Sequence, residues 1–119
     1  MPCRIWDKTM RIACALLLGC ALFAGCARVS NEEVKVARNA ALACIEREAA
    51  ILAMTNLDLD TAARATLGRC RAELEAERDS FIDQYPGYRD YIEPKLRELS
   101  AIRLDQARMR IASARAARR

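Results

Sequence analysis

The sequence predicts an all-α fold, in which a disulfide-linked antiparallel helical hairpin and a third long helix form a small three-helix bundle. Ala, Arg, Leu and Glu, which are good helix formers, are used heavily, whereas the 119 residues include only 4 Gly and 3 Pro. No run of alternating Val, Ile or Thr, the pattern typical of a strand, occurs in the chain. A chain of this length is expected to form one domain at most.

Composition also limits the chemistry that we expect. The net charge is +4 and 30% of the residues are charged, which is too polar for a multi-span membrane protein. The chain has no histidine, the most common general base and metal ligand. It also has no glycine-rich phosphate loop, nucleophile elbow or metal-ligand cluster. We therefore expect no catalytic residues, no metal and no cofactor, and a protein that is not an enzyme.

The first 25 residues have the pattern of a signal peptide. Residues 1–11 carry three basic side chains and one acidic side chain, and residues 12–25 carry no charge. A basic segment followed by a short apolar run is typical of a secretory signal, and a membrane span needs about 20 apolar residues. Met10 is an alternative start. A buried N-terminal helix is the other interpretation, but it would need an equally apolar partner face, which the rest of the chain lacks.

The apolar run ends in the tetrapeptide FAGC, residues 23–26, and polar sequence follows at once. This tetrapeptide resembles the lipobox of bacterial lipoprotein precursors, in which small residues precede an invariant cysteine. The resemblance implies that the Cys26 thiol receives a diacylglyceryl group and that Cys26 becomes the first residue of a mature chain, residues 26–119. Phe stands where the family usually has Leu. The alternatives are LLGC, residues 17–20, and cleavage near Ala24 by an ordinary signal peptidase.

The same resemblance implies a lipid anchor facing the periplasm. A lipobox implies at least two acyl chains, such as palmitate, and each buried methylene contributes about 0.8 kcal/mol to membrane binding, so that two chains anchor stably. Ala27 rather than an aspartate follows the cysteine. By resemblance, this favours the outer membrane over the inner membrane.

The mature chain is expected to form three helices. Ser30 and Glu33 have the spacing of a capping box for the first, which should end near Met54. Residues 55–60, rich in turn and cap formers, lead to a second helix, capped by Asp60 or Asp58 and ended by Pro and Gly at residues 86–87. The expected apolar seams of these helices are Val34, Ala37, Ala41, Cys44, Ile51 and Leu52, and Ala63, Leu67, Cys70, Leu74 and Phe81.

The third helix is expected to start near Asp90, in a second capping-box pattern with Glu93, and to continue towards the C-terminus. Its apolar side should contain Leu96, Leu99, Ile102 and Met109. Residues 103–119 form a basic helix end with Asp105 as the one acidic residue. The arginines expected on its opposite side are Arg103, Arg108, Arg110, Arg115, Arg118 and Arg119.

Cys44 and Cys70 are expected to form a disulfide. The other four of the six cysteines belong to the leader or to the lipid site, which leaves an even pair in an oxidising compartment. A hairpin that folds about residue 57, the midpoint between the two cysteines, places them opposite each other. A disulfide needs Cα atoms about 4.4–6.8 Å apart, whereas packed helix axes lie about 8–10 Å apart. The helices must therefore be thin here, as Gly68 and the alanines around Cys44 suggest. Two buried free thiols are the alternative, and a redox-active pair would lack Cys-x-x-Cys spacing.

Two further groups of side chains have expected roles. Glu48 and Glu77 lie at or beside the seams, where each is expected to meet an arginine across the hairpin. Four aromatic residues near the Pro-Gly turn are expected to form a local packing cluster, and any exposed part of the cluster is a candidate contact site. They are Phe81, Tyr85, Tyr88 and Tyr91.

The arginine-rich helix end has three interpretations: a solvated terminus, a contact for an anionic surface, and a contact for an acidic partner. The expected secretion argues against nucleic acid as a partner. An up-down-up bundle tethered at its N-terminus places this end tens of ångströms from the anchoring membrane, at about 1.5 Å per residue. This distance favours an envelope protein or the cell wall as the partner.

We therefore expect a small membrane-tethered envelope lipoprotein, a non-enzymatic accessory or interaction protein in the periplasm. The alternative is a binding module that uses the arginine-rich helix to hold anionic cell-wall or lipid groups. Sensitivity to salt would separate the two, because binding by simple charge attraction is screened.

Overall fold

The computed structural model describes residues 30–119, which form four α-helices. They are α1 (Asn31–Leu52), α2 (Leu59–Arg69), α3 (Arg71–Gln84) and α4 (Arg89–Ala116). No strand occurs within this range, and the predicted all-α class is confirmed. The expected signal peptide, the alternative start at Met10 and the lipid site at Cys26 lie outside the described residues. No helix between residues 30 and 119 is both long and apolar enough to cross a bilayer.

α1 runs up, α2 and α3 run down, and α4 runs up. At one end, the Gln84 side-chain amide donates a hydrogen bond to Asn31 Oδ1, so that α3 ends beside the start of α1. At the other end, Arg115 on α4 contacts the loop that follows α1. α1 packs against both α2 and α3, and α4 packs mainly against α2 and α1. We call the end at residues 30–31 the anchor end, and the end at the α1–α2 loop the distal end.

The expected second helix is divided in two, so residues 30–119 contain four helices rather than three. Cys70 ends α2 and precedes α3, with φ −95° and ψ 18°. The predicted disulfide is confirmed, and it holds the Cα atoms of Cys44 and Cys70 5.8 Å apart. Because Cα atoms lie about 2.3 Å from a helix axis, this distance fits helix axes about 8–10 Å apart. The second helix is interrupted at the cross-linked residue itself.

Small side chains allow this close approach. Ala41, Ala62 and Ala63 are fully buried, and the buried Thr66 hydroxyl donates a hydrogen bond to the Ala62 carbonyl oxygen at 3.0 Å. Gly68, expected to thin the second helix, has no such role, because a Cβ atom there would meet nothing within 4 Å. The alanines therefore account for the closeness of the helices.

All three expected helices start near the predicted residues, and two of the three expected N-terminal caps are confirmed. The Ser30 hydroxyl accepts a hydrogen bond from the Glu33 N–H at 3.2 Å, and the Glu33 carboxylate accepts one from the Ser30 N–H at 2.8 Å. Asp58 caps α2 through its carboxylate. α4, in contrast, starts at Arg89 without a side-chain cap, and the expected capping box at Asp90 is wrong. Because the helix starts directly after the Pro-Gly turn, Asp90 already lies in its first turn.

The apolar side of α4 is only partly the one expected. Leu96 is buried and Leu99 half-buried, as expected, whereas Ile102 and Met109 are 45% and 63% exposed. From residue 103 onward the inward face is shifted by about one residue, about 100°, and Arg103 pairs there with the buried Glu77. The buried residues of α4 are Ile92, Leu96, Arg103, Ala107 and Ile111.

Reduction of the disulfide is expected to lower the free energy of unfolding. The sequence separation of 26 between the bridged cysteines corresponds to about 3.5 kcal/mol of loop-closure entropy in the chain-entropy model. Urea unfolding with and without reductant measures the loss. The Cys44→Ala/Cys70→Ala variant is the control, because reductant should not change its midpoint. An unchanged midpoint of the native chain on reduction would contradict the prediction.

Candidate functional site

The six arginines expected to form one exposed basic surface have three different environments. Arg103 is buried, Arg108 and Arg115 are half-buried, and the other three are exposed. Arg110 lies 3.2 Å from Glu46 in an exposed ion pair. Several of the six arginines therefore contact other residues of the fold instead of forming one exposed surface.

Arg103 forms the most buried ion pair within residues 30–119. Its Nε donates a hydrogen bond to Oε2 of Glu77 at 3.0 Å, and its Nη2 contacts Oε1 of the same carboxylate. Its Nη1 donates a hydrogen bond to Oε1 of Gln106 at 2.7 Å. Glu77 and Arg103 are only 4% and 5% exposed. Since α3 and α4 share few other contacts, this two-pronged pair is the main polar link between them.

The expected contacts across the hairpin are confirmed for one glutamate and wrong for the other. Glu48 on α1 accepts a hydrogen bond from Arg69 on α2 at 3.2 Å, as expected. Glu77 instead meets Arg103 on α4. The sequence places Glu77 near a seam, but only the packing of α4 decides which arginine reaches it.

Arg108 joins α4 to the first turn of α2. Its guanidinium donates hydrogen bonds to Asp60, and Nη1 donates one to Asp105 at 2.8 Å. Asp60 also accepts a hydrogen bond from Arg64 at 2.7 Å. The hydrogen bonds from Arg108, and secondly from Arg64, hold the pKa of Asp60 below its ordinary value. Asp60 is therefore stabilised as a carboxylate between the two helices.

Arg115 holds the loop at the distal end. Its Nη2 donates hydrogen bonds to the carbonyl oxygens of Thr55 at 3.2 Å and Leu57 at 2.7 Å, and its Nε donates one to Ala53 at 3.4 Å. The Thr55 hydroxyl adds a hydrogen bond to the Leu52 carbonyl oxygen at 2.6 Å. The backbone of this loop is therefore fixed by side chains on both sides.

The same loop exposes several apolar side chains, which we call the distal apolar surface. It consists of Ile51, Met54, Leu57 and Leu59, all of which are exposed. Arg118 and Arg119, also exposed, directly follow the end of α4 here. The sequence interpretation missed this surface and wrongly placed Ile51 on the buried seam of the first helix. Two leucines in the otherwise polar connection TNLDLD were a usable signal.

The anchor end exposes aromatic side chains. The rings of Phe81 and Tyr85 pack edge to face with their centroids 5.7 Å apart, which confirms part of the expected aromatic cluster. Tyr88 and Tyr91 are exposed instead, so their assignment to a packing cluster is wrong. They lie beside the turn that separates α3 from α4, and their rings face outward.

Two grooves flank the buried Glu77. The larger, of about 410 Å³, lies between α3 and α4, and the smaller, of about 260 Å³, reaches Val34 on α1. Within residues 30–119, every buried side-chain nitrogen or oxygen atom has a hydrogen-bond partner. The same residues contain no group of three or more His, Cys, Asp or Glu side chains arranged to hold a metal ion. Four leucines line the larger groove: Leu67, Leu74, Leu96 and Leu99.

Comparison with protein-family models, with curated proteins and with solved structures finds no match in any of the three. Candidate sites are therefore compared on geometry alone. The distal end combines exposed apolar side chains, a loop fixed by Arg115 and two exposed terminal arginines. It is the candidate site that the described residues support best.

Removing one member of the buried pair is expected to destabilise the fold strongly. Glu77→Leu or Arg103→Met alone leaves an unpaired buried charge and should lower the free energy of unfolding by about 3–5 kcal/mol. The double variant, with an apolar pair of similar volume, should lose much less or gain stability. A double-mutant cycle by urea unfolding measures the coupling. The exposed Arg71–Glu75 pair, at 2.7 Å, is the control and should couple by no more than about 1 kcal/mol. Equal coupling in the two pairs would refute the prediction.

Acid is expected to weaken the contact between α2 and α4. Because the folded pKa of Asp60 is lowered, its contribution to stability is complete above the ordinary pKa of 3.8 and is lost as pH falls through the folded value. Asp60→Asn cannot titrate and should show a shallower loss of stability between about pH 5 and about pH 2. Urea midpoints across this range measure the slope, with Asp79→Asn on the exposed face of α3 as the control. Parallel slopes for the native chain and Asp60→Asn would argue against the Arg108–Asp60 contact.

Proposed function

We propose that this chain is a small non-enzymatic lipoprotein of the cell envelope that presents the distal end of its helical bundle to a partner protein. Cys26 carries the lipid and faces the periplasm, in the outer rather than the inner membrane. The tether is supported by the basic and apolar leader and by FAGC at residues 23–26. The interaction role is supported by one structural observation, the distal apolar surface on a loop fixed by Arg115.

The positions of the two ends suit this role. The tether enters the described chain at Ser30, directly before α1, and the distal surface follows the end of α1. The 22 residues of α1 extend about 33 Å at about 1.5 Å per residue. A surface at that distance from the bilayer is available to a partner within the periplasm.

The character of the distal surface favours a protein partner. Interfaces between proteins have an apolar centre and a polar rim, and they are enriched in methionine and arginine relative to the rest of the surface. Met54 and Leu57 supply apolar contact area, and Arg118 and Arg119 supply positive charge beside it. Because Arg115 already holds the loop in place, little loop entropy would be lost on binding. Acidic groups at the edge of the partner would complement the arginines.

The alternative is a module that holds anionic cell-wall or lipid groups through its arginines. Fewer arginines support it than the sequence suggested. Arg103, Arg108 and Arg115 donate hydrogen bonds within the fold. The alternative therefore depends mainly on Arg118 and Arg119, at the same distal end. If the alternative holds, binding should be lost at high salt, because exposed charges are screened.

Photo-crosslinking in the envelope tests the proposal. A benzophenone amino acid replaces Met54 in the full-length chain, and the control position is Ala72, which is exposed on α3. We expect Met54 to capture one partner protein in the membrane fraction, and Ala72 to capture none. Mass spectrometry of the N-terminal peptide of the same material should find an acylated Cys26.

Two further variants separate the two functions. Leu57→Asp, in the chain with the crosslinker at Met54, should abolish capture, because a carboxylate replaces apolar contact area. Arg118→Ser/Arg119→Ser should weaken capture only partly. Loss of capture in the arginine variant and at high salt, with Leu57→Asp unaffected, would favour the anionic-ligand alternative. An unmodified Cys26 in the soluble fraction would contradict the tether.

A further inference from the structure

We propose that Tyr85, Tyr88 and Tyr91 form a second membrane contact, with their rings in the headgroup region of the bilayer that holds the acyl chains of Cys26. This contact would keep the bundle upright, with its distal end pointing away from the membrane. The inference rests on the proposed function, because it requires Cys26 to be the tether.

The position of the tyrosines carries the first step. They are the 3 tyrosines of the whole chain, and all flank the turn between α3 and α4. The hydrogen bond from Gln84 to Asn31 joins this turn to the start of α1. The tyrosines therefore lie at the end where the tether enters. Each is exposed, Tyr91 by 73%.

The length of the tether carries the second step. Ser30, the first described residue, follows Cys26 by only four positions. Four residues span at most about 14 Å, at up to about 3.6 Å each. The anchor end therefore stays within about that distance of the acyl chains. The tether keeps the effective concentration of the membrane surface high at this end, so that contacts from a few side chains are enough to orient the domain.

The chemistry of tyrosine carries the third step. Its ring is apolar and its hydroxyl is polar, and tyrosine is enriched where a membrane meets water. The same end exposes acidic side chains, including Glu32 and Asp90, beside basic ones, including Lys35 and Arg89, so that charges of both signs offset one another and give little attraction to anionic lipids. We therefore assign the contact to zwitterionic headgroups, such as phosphatidylethanolamine, approached through aromatic rings rather than through charge.

Tryptophan fluorescence offers a direct test, because the one Trp of the chain, Trp6, lies in the leader that the proposed cleavage removes. Tyr88→Trp reports on the anchor end and Met54→Trp on the distal end. The two native side chains are matched at 66% and 65% exposed. Each lipidated full-length product is inserted in phosphatidylcholine vesicles, with or without lipids brominated near the headgroup end of the acyl chains.

We expect brominated lipid to quench Tyr88→Trp several-fold more strongly than Met54→Trp, and the emission of Tyr88→Trp to shift to shorter wavelength. Co-sedimentation with the vesicles reports separately on the tether. If both variants sediment and are quenched equally, the tyrosine contact is overturned while the tether stands. If neither variant sediments, the tether itself fails, and the inference fails with it.

Discussion

The disulfide between Cys44 and Cys70 holds the two arms of the hairpin together, with their Cα atoms 5.8 Å apart. Ala41 and Ala63, which lie near this level, are fully buried. The second arm of the hairpin is interrupted at Cys70, which divides it into α2 and α3. Beyond this break, α3 packs on α1 and leaves a groove beside α4. The Glu77–Arg103 pair connects α3 and α4 next to that groove.

That ion pair explains how a helix rich in arginine can pack against the core. Removing two charges from water costs several kcal/mol per ion, so a buried pair adds little net stability but disfavours any packing that separates its members. Rotating α4 to bury Ile102 instead would carry Arg103 away from Glu77 and leave a buried carboxylate unpaired. The pair therefore selects the inward face of α4, which in turn brings Arg108 to Asp60 and Arg115 to the distal loop.

The two ends of the bundle have different chemistry, which fits the functions that we propose for them. The anchor end carries exposed tyrosines among side chains of both charges, close to where the proposed tether would enter. The distal end carries apolar side chains on a fixed loop, beside two terminal arginines. A single rigid body with such ends can be held to a membrane at one end and offered to a protein at the other. The cross-link and the ion pair would keep the two surfaces at a constant separation.

The sequence by itself determined the helical class, the Ser30–Glu33 cap and the pairing of Cys44 with Cys70. Each depends on residue types and on spacing along the chain, which are visible without a third dimension. It located neither the break at Cys70 nor the distal apolar surface, and it placed Ile102 and Met109 on the wrong side of α4. Tertiary structure alone decided these, because a long arginine can be a solvated charge or a buried partner. Which of the two it becomes depends on whether another helix brings a carboxylate within hydrogen-bonding distance.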